Sequence, residues 1–160
     1  MIRPATPDDV SEIHTMIGEL AEFEKLADQF VASVDELHGA LFGERPAADA
    51  LVAEGEDGLV GYAIFFTTFS TFLAKQGLWL EDVYVRPDQR GKGLGKGLVL
   101  AGAKMAEERG YGRYEWCVLD WNQNAIEFYD SLGTDILHDW RIVRSGEGQI
   151  RKMTAVSRTE

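Results

Sequence analysis

One continuous segment, residues 78–97, most constrains how this chain can fold, because it passes from a strand through a tight turn and a glycine-rich loop into a helix. Its first half is rich in strand-favouring residues, and Pro87, which cannot donate to a central ladder, ends the strand. In the loop that follows, three glycines allow backbone N–H groups to turn inward at the start of a helix, an arrangement that binds phosphates. The glycines are Gly91, Gly93 and Gly95, and residues 86–97 carry four basic side chains, Arg86, Arg90, Lys92 and Lys96, against one acid, Asp88. The sequence therefore predicts that a phosphorylated ligand binds here.

The loop departs from the two commonest phosphate-binding motifs. A Walker A loop needs Ser or Thr after its lysine, and here Gly97 follows Lys96. The dinucleotide motif G-x-G-x-x-G needs a third glycine at a spacing that this loop lacks. The pattern that fits is R-x-x-G-x-G, formed by Arg90, Gly93 and Gly95. Taken alone, so short a pattern also fits a solvated turn that carries charged side chains.

Composition narrows the class of protein. The chain has 160 residues, 45% of them hydrophobic and 27% charged, which is typical of one soluble globular domain. No apolar run is long enough to span a membrane and no leader segment is recognised, so we expect no membrane partner.

A single cysteine, Cys117, cannot form an internal disulfide, which favours a reducing, cytoplasmic setting. The net charge of −11 argues against a nucleic-acid partner and favours small cationic substrates. The three histidines lie far apart in sequence, so no metal site is predicted: His14, His38 and His138.

Periodicity and turn signals predict one mixed α/β domain over residues 1–160, with a central mixed twisted sheet flanked by helices. The predicted strands are residues 2–4, 50–54, 59–68, a long strand ending at 86, 114–119, and a closing hairpin of 140–144 with 149–156. Helices are predicted after Thr6, after Ser33 (with Glu36 as a capping-box partner), after the glycine loop, and after Asn122. The predicted order is therefore β-α-α-β-β-β-α-β-α-β-β.

This order and several motifs resemble the GNAT superfamily of acyl-coenzyme A N-acyltransferases. The R-x-x-G-x-G loop resembles the superfamily's pyrophosphate loop, and WNQNAIEFY resembles its second coenzyme A element. More specifically, the chain resembles the spermidine/spermine (diamine) and thialysine N-acetyltransferase branch. The matching pieces, in order, are IRPATPDDVSEI, ELAEFE, LVAE, LEDVYV, RGKGLG, WNQNAIEFY, DWRIVR and RKM.

The resemblance implies acetyl-coenzyme A as cofactor, direct acetyl transfer to an amine in a ternary complex, and a homodimer. The residues that it assigns to cofactor binding are Val83, Tyr84, Val85, Arg90, Gly91, Lys92, Gly93, Leu94, Gly95, Lys96, Asn122, Ala125 and Tyr129. It also implies that the strand around Val83 to Val85 splays from its neighbour, which would offer backbone N–H groups to the thioester oxygen.

Two side chains are candidates for the proton transfers. By period two, Glu81 shares a strand face with Trp79, Val83 and Val85, so its carboxylate on an apolar face should have a raised pKa and accept a proton. An equally good interpretation is an acid at a strand end that anchors a loop or pairs with an arginine. Tyr129 lies two turns after Asn122 and could protonate the leaving thiolate, although aromatic residues at such positions commonly pack in a core.

For the acceptor, the resemblance suggests an acidic pocket for an amine. Its walls would be Phe23, Glu24, Glu81, Asp82, Glu115, Trp116 and Cys117. Adjacent acids on a strand point to opposite faces, so Glu81 and Asp82 can face one amine only if the strand is bulged. No acetyl-cysteine is expected, because Cys117 is predicted to pack as a small hydrophobe on a buried strand.

Departures from the polyamine enzymes favour a shorter acceptor. Ser70 and Phe72 stand roughly where those enzymes carry an acid and a tryptophan, His138 replaces an acid, and residues 133–140 are shortened. A lysine analogue or small diamine thus competes with spermidine. Three other interpretations stay open: acetylation of a protein or peptide amine or an aminoglycoside, a non-catalytic acyl-coenzyme A sensor, and an acidic interaction domain that binds no cofactor.

Overall fold

The computed structural model describes residues 1–156. The chain forms two compact units, Met1–Cys117 and Val118–Glu160. The single domain expected over residues 1–160 stays a prediction.

The first unit is built on a five-stranded mixed sheet in the order β1-β2-β3-β4-β5. The strands are β1 Ile2–Pro4, β2 Asp49–Glu54, β3 Leu59–Ser70, β4 Lys75–Val85 and β5 Tyr114–Trp116. Neighbouring strands are antiparallel from β1 to β4, and β5 is parallel to β4. The predicted mixed sheet is therefore confirmed.

Three helices flank this sheet, α1 Val10–Phe23, α2 Val34–Phe42 and α3 Leu94–Glu108. The predicted capping box of α2 is present, since Ser33 Oγ accepts from the Glu36 N–H at 3.2 Å and Glu36 accepts from the Ser33 N–H at 2.7 Å. At the start of α3, Gly93 adopts the left-handed conformation (φ 79°), which glycine reaches without steric cost.

The two faces of the sheet bury different helices. On one face, Ile13 and Met16 of α1 pack with Val52, Tyr62, Ile64 and Tyr84 in one buried cluster. On the other face, α3 buries Leu98 and Val99, and Gly102 lies so close to Phe65 that a Cβ would come within 2.6 Å of that ring. The ends of α1, β4 and α3 are thereby held at fixed places on a rigid sheet.

A β-bulge interrupts β4 where the two acidic residues stand. Ile64 of β3 pairs with Asp82, whereas its neighbour Phe65 pairs with Leu80, so Glu81 is the extra residue. The expectation that Trp79, Glu81, Val83 and Val85 share one face is wrong for this reason. Trp79 pairs with Phe66 and Val83 with Ala63, and the inserted residue puts these two pairs on opposite faces.

The pairing of strand β5 with β4 ends just before the bulged residue Glu81. Their parallel pairing joins residues 78–80 to residues 114–116 and ends at the pair Leu80 and Trp116. Strand β5 is thus shorter than the predicted strand 114–119. The edge of β4 from Glu81 to Val85 continues beyond the end of this pairing.

The second unit contains two helices, α4 Gln123–Asp130 and α5 Glu147–Val156. Asn122 caps α4 as predicted, with its Oδ1 accepting from the Ala125 N–H at 3.3 Å. The predicted closing hairpin is wrong, because residues 149–156 are helical and residues 140–144 form no strand. Local contacts explain the helix: Gln149 Oε1 accepts from the Gly146 N–H at 2.7 Å, and Arg151 pairs with Glu147 at i,i+4.

Candidate active site

The glycine loop forms an open cradle at the N-terminus of α3. Gly91 and Gly93 both have positive φ, 78° and 79°, and a Cβ at either position would meet no atom within 4 Å. The first-turn N–H groups of a 15-residue helix and its dipole lie at this point, which favours a bound anion. Arg90, Lys92 and Lys96 are exposed around the cradle. These residues fit a phosphate-bearing cofactor.

The Arg86 side chain points away from this cradle, although the sequence analysis includes it among the basic residues expected to bind phosphate. Its guanidinium turns to α1 and pairs with Glu12 at 2.6 Å and Glu19 at 2.9 Å, and Tyr84 donates to Glu19 at 3.0 Å. The Arg86 guanidinium lowers the pKa of Glu19. Arg86 is therefore a structural cation that ties the end of β4 to α1.

Arg90 links the loop to the end of α1. Its Nε donates to the Val85 carbonyl at 2.9 Å, and its guanidinium lies 5.4 Å from the centre of the Phe23 ring and 5.8 Å from that of Tyr84. Both distances are in the range of a cation–π contact. The first residue of the R-x-x-G-x-G pattern thus lies beside Phe23, a predicted wall of the acceptor pocket.

Beyond its pairing with β5, the outer edge of β4 carries backbone groups that point away from β3, and one of them, the Val85 carbonyl, accepts from Arg90 Nε. The Arg86 N–H donates to Val60 of β3 at 2.9 Å, and backbone groups alternate along an antiparallel strand. Val83 and Val85 therefore direct their N–H and C=O groups to the other side, where pairing with β5 has already ended. An extended ligand could add to this edge through main-chain hydrogen bonds.

Four titratable side chains form an acidic cluster at the bulge, Glu24 at the end of α1, Tyr62 on β3, and Glu81 and Asp82 on β4. Tyr62 is fully buried and donates a long hydrogen bond of 3.5 Å to the half-buried Asp82. Burial, helped by the negative charges of Glu81 and Glu24, raises the pKa of Asp82 to about 6, and the Tyr62 hydrogen bond opposes the rise. Burial also raises the pKa of Glu24.

Glu81 occupies a different environment from the one that the sequence predicts. Its side chain is exposed, and the Trp79 indole N–H donates to its carboxylate at 2.9 Å. Its exposure follows from the bulge, which removes Glu81 from the regular alternation of faces. The carboxyl with a raised pKa is that of the half-buried Asp82.

The remaining predicted pocket residues lie at the end of β5. Glu115 pairs with Trp79 across the strands and is 3.8 Å from the Arg113 guanidinium, and Trp116 pairs with Leu80 next to the bulge. Cys117 follows β5 and is exposed, so the prediction that it packs as a small hydrophobe is wrong. Strand β5 ends one residue earlier, at Trp116, so the alternation of buried and exposed side chains along a strand does not apply to Cys117.

In the second unit, three predicted residues lie on or before α4. Asn122 is the N-cap, Ala125 is half-buried, and Tyr129 is buried, with its ring 5.2 Å from that of Phe128. The cap uses the Asn122 amide oxygen, so its NH₂ group is the part that can donate to a ligand.

Residues 1–156 offer neither a metal centre nor a membrane-crossing helix. No group of three or more histidine, cysteine or acidic side chains there is arranged to hold a metal ion. No helix in the same range has both the length and the apolar character that a membrane crossing requires.

Sequence comparison assigns the family. Residues 16–134 match the model of the acetyltransferase (GNAT) family. This range contains the end of α1, the bulged strand, the glycine loop and α4. The chain belongs to the GNAT family of N-acetyltransferases.

Individual relatives place the chain near enzymes that act on small amines. It is 36% identical to the L-ornithine N5-acetyltransferase of Arabidopsis thaliana, over 89% of this chain and 82% of that protein. It is 39% identical to the thialysine N-epsilon-acetyltransferase of Sus scrofa, over 83% of this chain and 82% of the relative. Among solved structures, an integron cassette protein of V. cholerae shares the fold, with a TM-score of 0.80 at 22% identity over 96% of both chains.

Tyr62 is the site residue that the sequence analysis misses. It contacts Asp82 across the β3–β4 pairing, and that pairing depends on the bulge. An alternating strand pattern identifies Tyr62 as buried, but without the register it does not reveal which residue of β4 lies opposite.

Proposed function

We propose that this GNAT enzyme transfers the acetyl group of acetyl-coenzyme A directly to a primary amine of a small cationic metabolite. The observation that carries the proposal is the arrangement on one strand: β4 holds an acidic cluster at its bulge and leads directly into a phosphate-binding cradle. A negatively charged pocket favours an ammonium ion, while the basic loop favours a phosphorylated cofactor.

The acceptor that we favour is a basic amino acid or a small diamine. The two relatives above are named for ornithine and thialysine, each with a terminal primary amine on a short chain. Glu24, Glu81 and Asp82 would bind such a terminal ammonium. Glu115, Trp116, Cys117 and Phe23 would complete the pocket.

Each remaining part of the reaction has a proposed group. Bound acetyl-coenzyme A supplies the acetyl thioester. The glycine cradle with Arg90, Lys92 and Lys96 would hold its phosphates, and the β4 edge at Val83 to Val85 would bind its extended arm and the thioester oxygen. Such a backbone donor in a preorganised site is worth about 3 kcal/mol. Asn122, Ala125 and Tyr129 are proposed from the sequence resemblance, with Tyr129 as proton donor to the leaving sulfur.

The test is thiol release from acetyl-coenzyme A with a panel of amines: ornithine, thialysine, lysine, putrescine, spermidine, an aminoglycoside and a peptide. We expect turnover on one or more small amines, and an at least tenfold lower kcat in Tyr129→Phe. Tyr111→Phe is the matched control, because the Tyr111 hydroxyl lies 3.0 Å from Thr67 Oγ1, outside the proposed site. Turnover confined to the peptide or the aminoglycoside would overturn the acceptor class, and full activity of Tyr129→Phe would remove Tyr129 from the mechanism.

A homodimer is proposed on the same resemblance. One feature supports an assembly: large apolar side chains of the second unit are exposed, among them Leu137, Trp140, Ile142 and Val143. Size-exclusion chromatography with light scattering measures the assembly, and a monomer at assay concentration would contradict it.

A further inference from the structure

We propose that Asp82, and not Glu81, removes the proton from the acceptor amine, and that Tyr62 is the residue that positions its carboxylate. This inference rests on the proposed amine acetylation and names the base within it.

The bulge gives the two adjacent acids different surroundings. It makes Glu81 the unpaired residue of β4 and keeps Asp82 in register with Ile64, on the face that holds the buried cluster around Tyr62. Glu81 is exposed, and its carboxylate accepts from Trp79 in its own strand. The two acids therefore differ in solvation, the inner carboxyl being that of Asp82.

The groups around Asp82 leave its charge without a cationic partner. Those that face it are Tyr62 from β3, Glu24 from the end of α1, and Glu81 beside it on β4. Two are acids and the third is a hydroxyl that hydrogen-bonds to Asp82, so no cation among residues 1–156 neutralises the carboxyl as Arg3 neutralises Asp9 at 2.7 Å. Ionised Asp82 is therefore opposed by burial and by two like charges, with only the Tyr62 hydrogen bond in its favour. The pKa near 6 also makes Asp82 a stronger base than an ordinary carboxylate.

The Asp82 carboxylate accepts one proton from the ammonium group, leaving a neutral amine and a neutral carboxyl. The amine nitrogen then attacks the thioester carbonyl carbon, and the new C–N bond replaces the C–S bond. A second proton leaves nitrogen, while the sulfur gains one and departs as a thiol. Asp82 returns its proton to solvent, so the net products are the amide, the thiol and one proton.

The first experiment compares Asp82→Asn with Glu81→Gln, two matched amide substitutions at adjacent positions. We expect Asp82→Asn to lower kcat about 100-fold or more, the scale of a lost general base. Glu81→Gln should mainly raise KM for the amine, with kcat within about threefold of the wild type. The reverse pattern, with kcat lost in Glu81→Gln and kept in Asp82→Asn, would overturn the proposal.

The second experiment follows the acidic limb of the pH profile of kcat/KM for the amine, at saturating acetyl-coenzyme A. The Tyr62 hydrogen bond lowers the pKa of Asp82, so Tyr62→Phe should move the limb to higher pH. The negative charge of Glu24 raises that pKa, so Glu24→Gln should move the limb to lower pH. A merely structural role of these residues would change the rate without these opposite shifts. If the acidic limb of the kcat/KM profile lies at the wild-type pH in both variants, the proposal is overturned.

The outcomes separate this inference from the proposed function. If the wild type acetylates no amine of the panel, the proposed function fails and the base assignment fails with it. If the wild type is active while Asp82→Asn keeps the wild-type kcat and acidic limb, only the base assignment fails. Circular dichroism of each variant confirms that the comparison is between folded proteins.

Discussion

Two aspartates of the first unit, the buried Asp9 and the half-buried Asp82, have opposite effects on the fold. Asp9 accepts from the Arg3 guanidinium at 2.7 Å and from the Thr6 N–H at 2.7 Å, and the Arg3 hydrogen bond holds its pKa well below the usual range. In the part of the chain that the structure describes, Asp82 has no such cationic partner, and burial raises its pKa to about 6. Ionised Asp9 stabilises the native state, whereas ionised Asp82 destabilises it. A protein that keeps a destabilising charge commonly uses it for function.

The difference predicts that Asp82→Asn stabilises the protein at neutral pH. A raised native pKa means that the native state holds the Asp82 proton more tightly than the unfolded chain does. The stability from this group is complete below pH 4 and is lost as the pH rises through about 6. At pH 8, replacing Asp82 by Asn should raise the free energy of unfolding by up to about 3 kcal/mol, and near pH 4 the gain should fall to about 0.5 kcal/mol.

Urea unfolding at the two pH values measures this gain. Glu56→Gln is the control, because Glu56 is exposed in the turn between β2 and β3 and should change stability little at either pH. An Asp82→Asn variant that is no more stable than wild type at pH 8 would show that the native state does not disfavour the ionised carboxyl.

At the scale of elements, the sequence predicts structure well where local chemistry decides it. The capping box at Ser33 and Glu36, the glycine loop before α3 and the Asn122 cap are confirmed because each depends on residues a few positions apart. The bulge in β4 was not predictable, since it arises from how β3 and β4 pair and leaves no mark in the composition of either strand. Because of this one inserted residue, the strand face predicted for Glu81 is wrong, and the contact between Tyr62 and Asp82 cannot be predicted from alternation.

The C-terminal helix shows a different limit of sequence reasoning. The turn-like run Ser145-Gly146-Glu147-Gly148 suggests a hairpin that pairs residues 149–156 with residues 140–144. Strand pairing requires that partner, while a helix needs only its own residues. Glu147 and Arg151 are spaced to pair along a helix, and this exposed pair favours the helix.

Two glycine-to-alanine variants should have opposite effects on stability. Gly93 has φ 79°, so Gly93→Ala should destabilise the protein by about 1 kcal/mol and weaken acetyl-coenzyme A binding by distorting the cradle. Gly39 lies within α2, where an added Cβ would meet no atom within 4 Å, so Gly39→Ala should stabilise by up to about 1 kcal/mol. Thermal unfolding and calorimetric titration with the cofactor measure both effects. Equal and unchanged cofactor affinity in the two variants would place the phosphates away from this loop.

At the scale of the whole chain, family and fold could be predicted because many short motifs occur in the right order. The acceptor could not, since it depends on which few side chains line a pocket and on how a bulged strand turns them. The same net charge of −11 that argues against nucleic acid also acts at long range on any cationic acceptor. That long-range attraction can be measured separately from the contacts in the pocket.

Salt should therefore weaken acceptor binding without slowing the chemical step. The Debye length falls from about 10 Å at 0.1 M salt to about 3 Å at 1 M, so added salt screens the attraction between the acidic protein and an ammonium substrate. We expect KM for the amine to rise with NaCl, more steeply for a dication such as putrescine than for a monocation of similar length, while kcat changes little. An isosmotic series in sucrose controls for effects of solute that are not electrostatic. If KM rises equally for the two amines, or rises equally in sucrose, the protein's charge has no part in choosing its substrate.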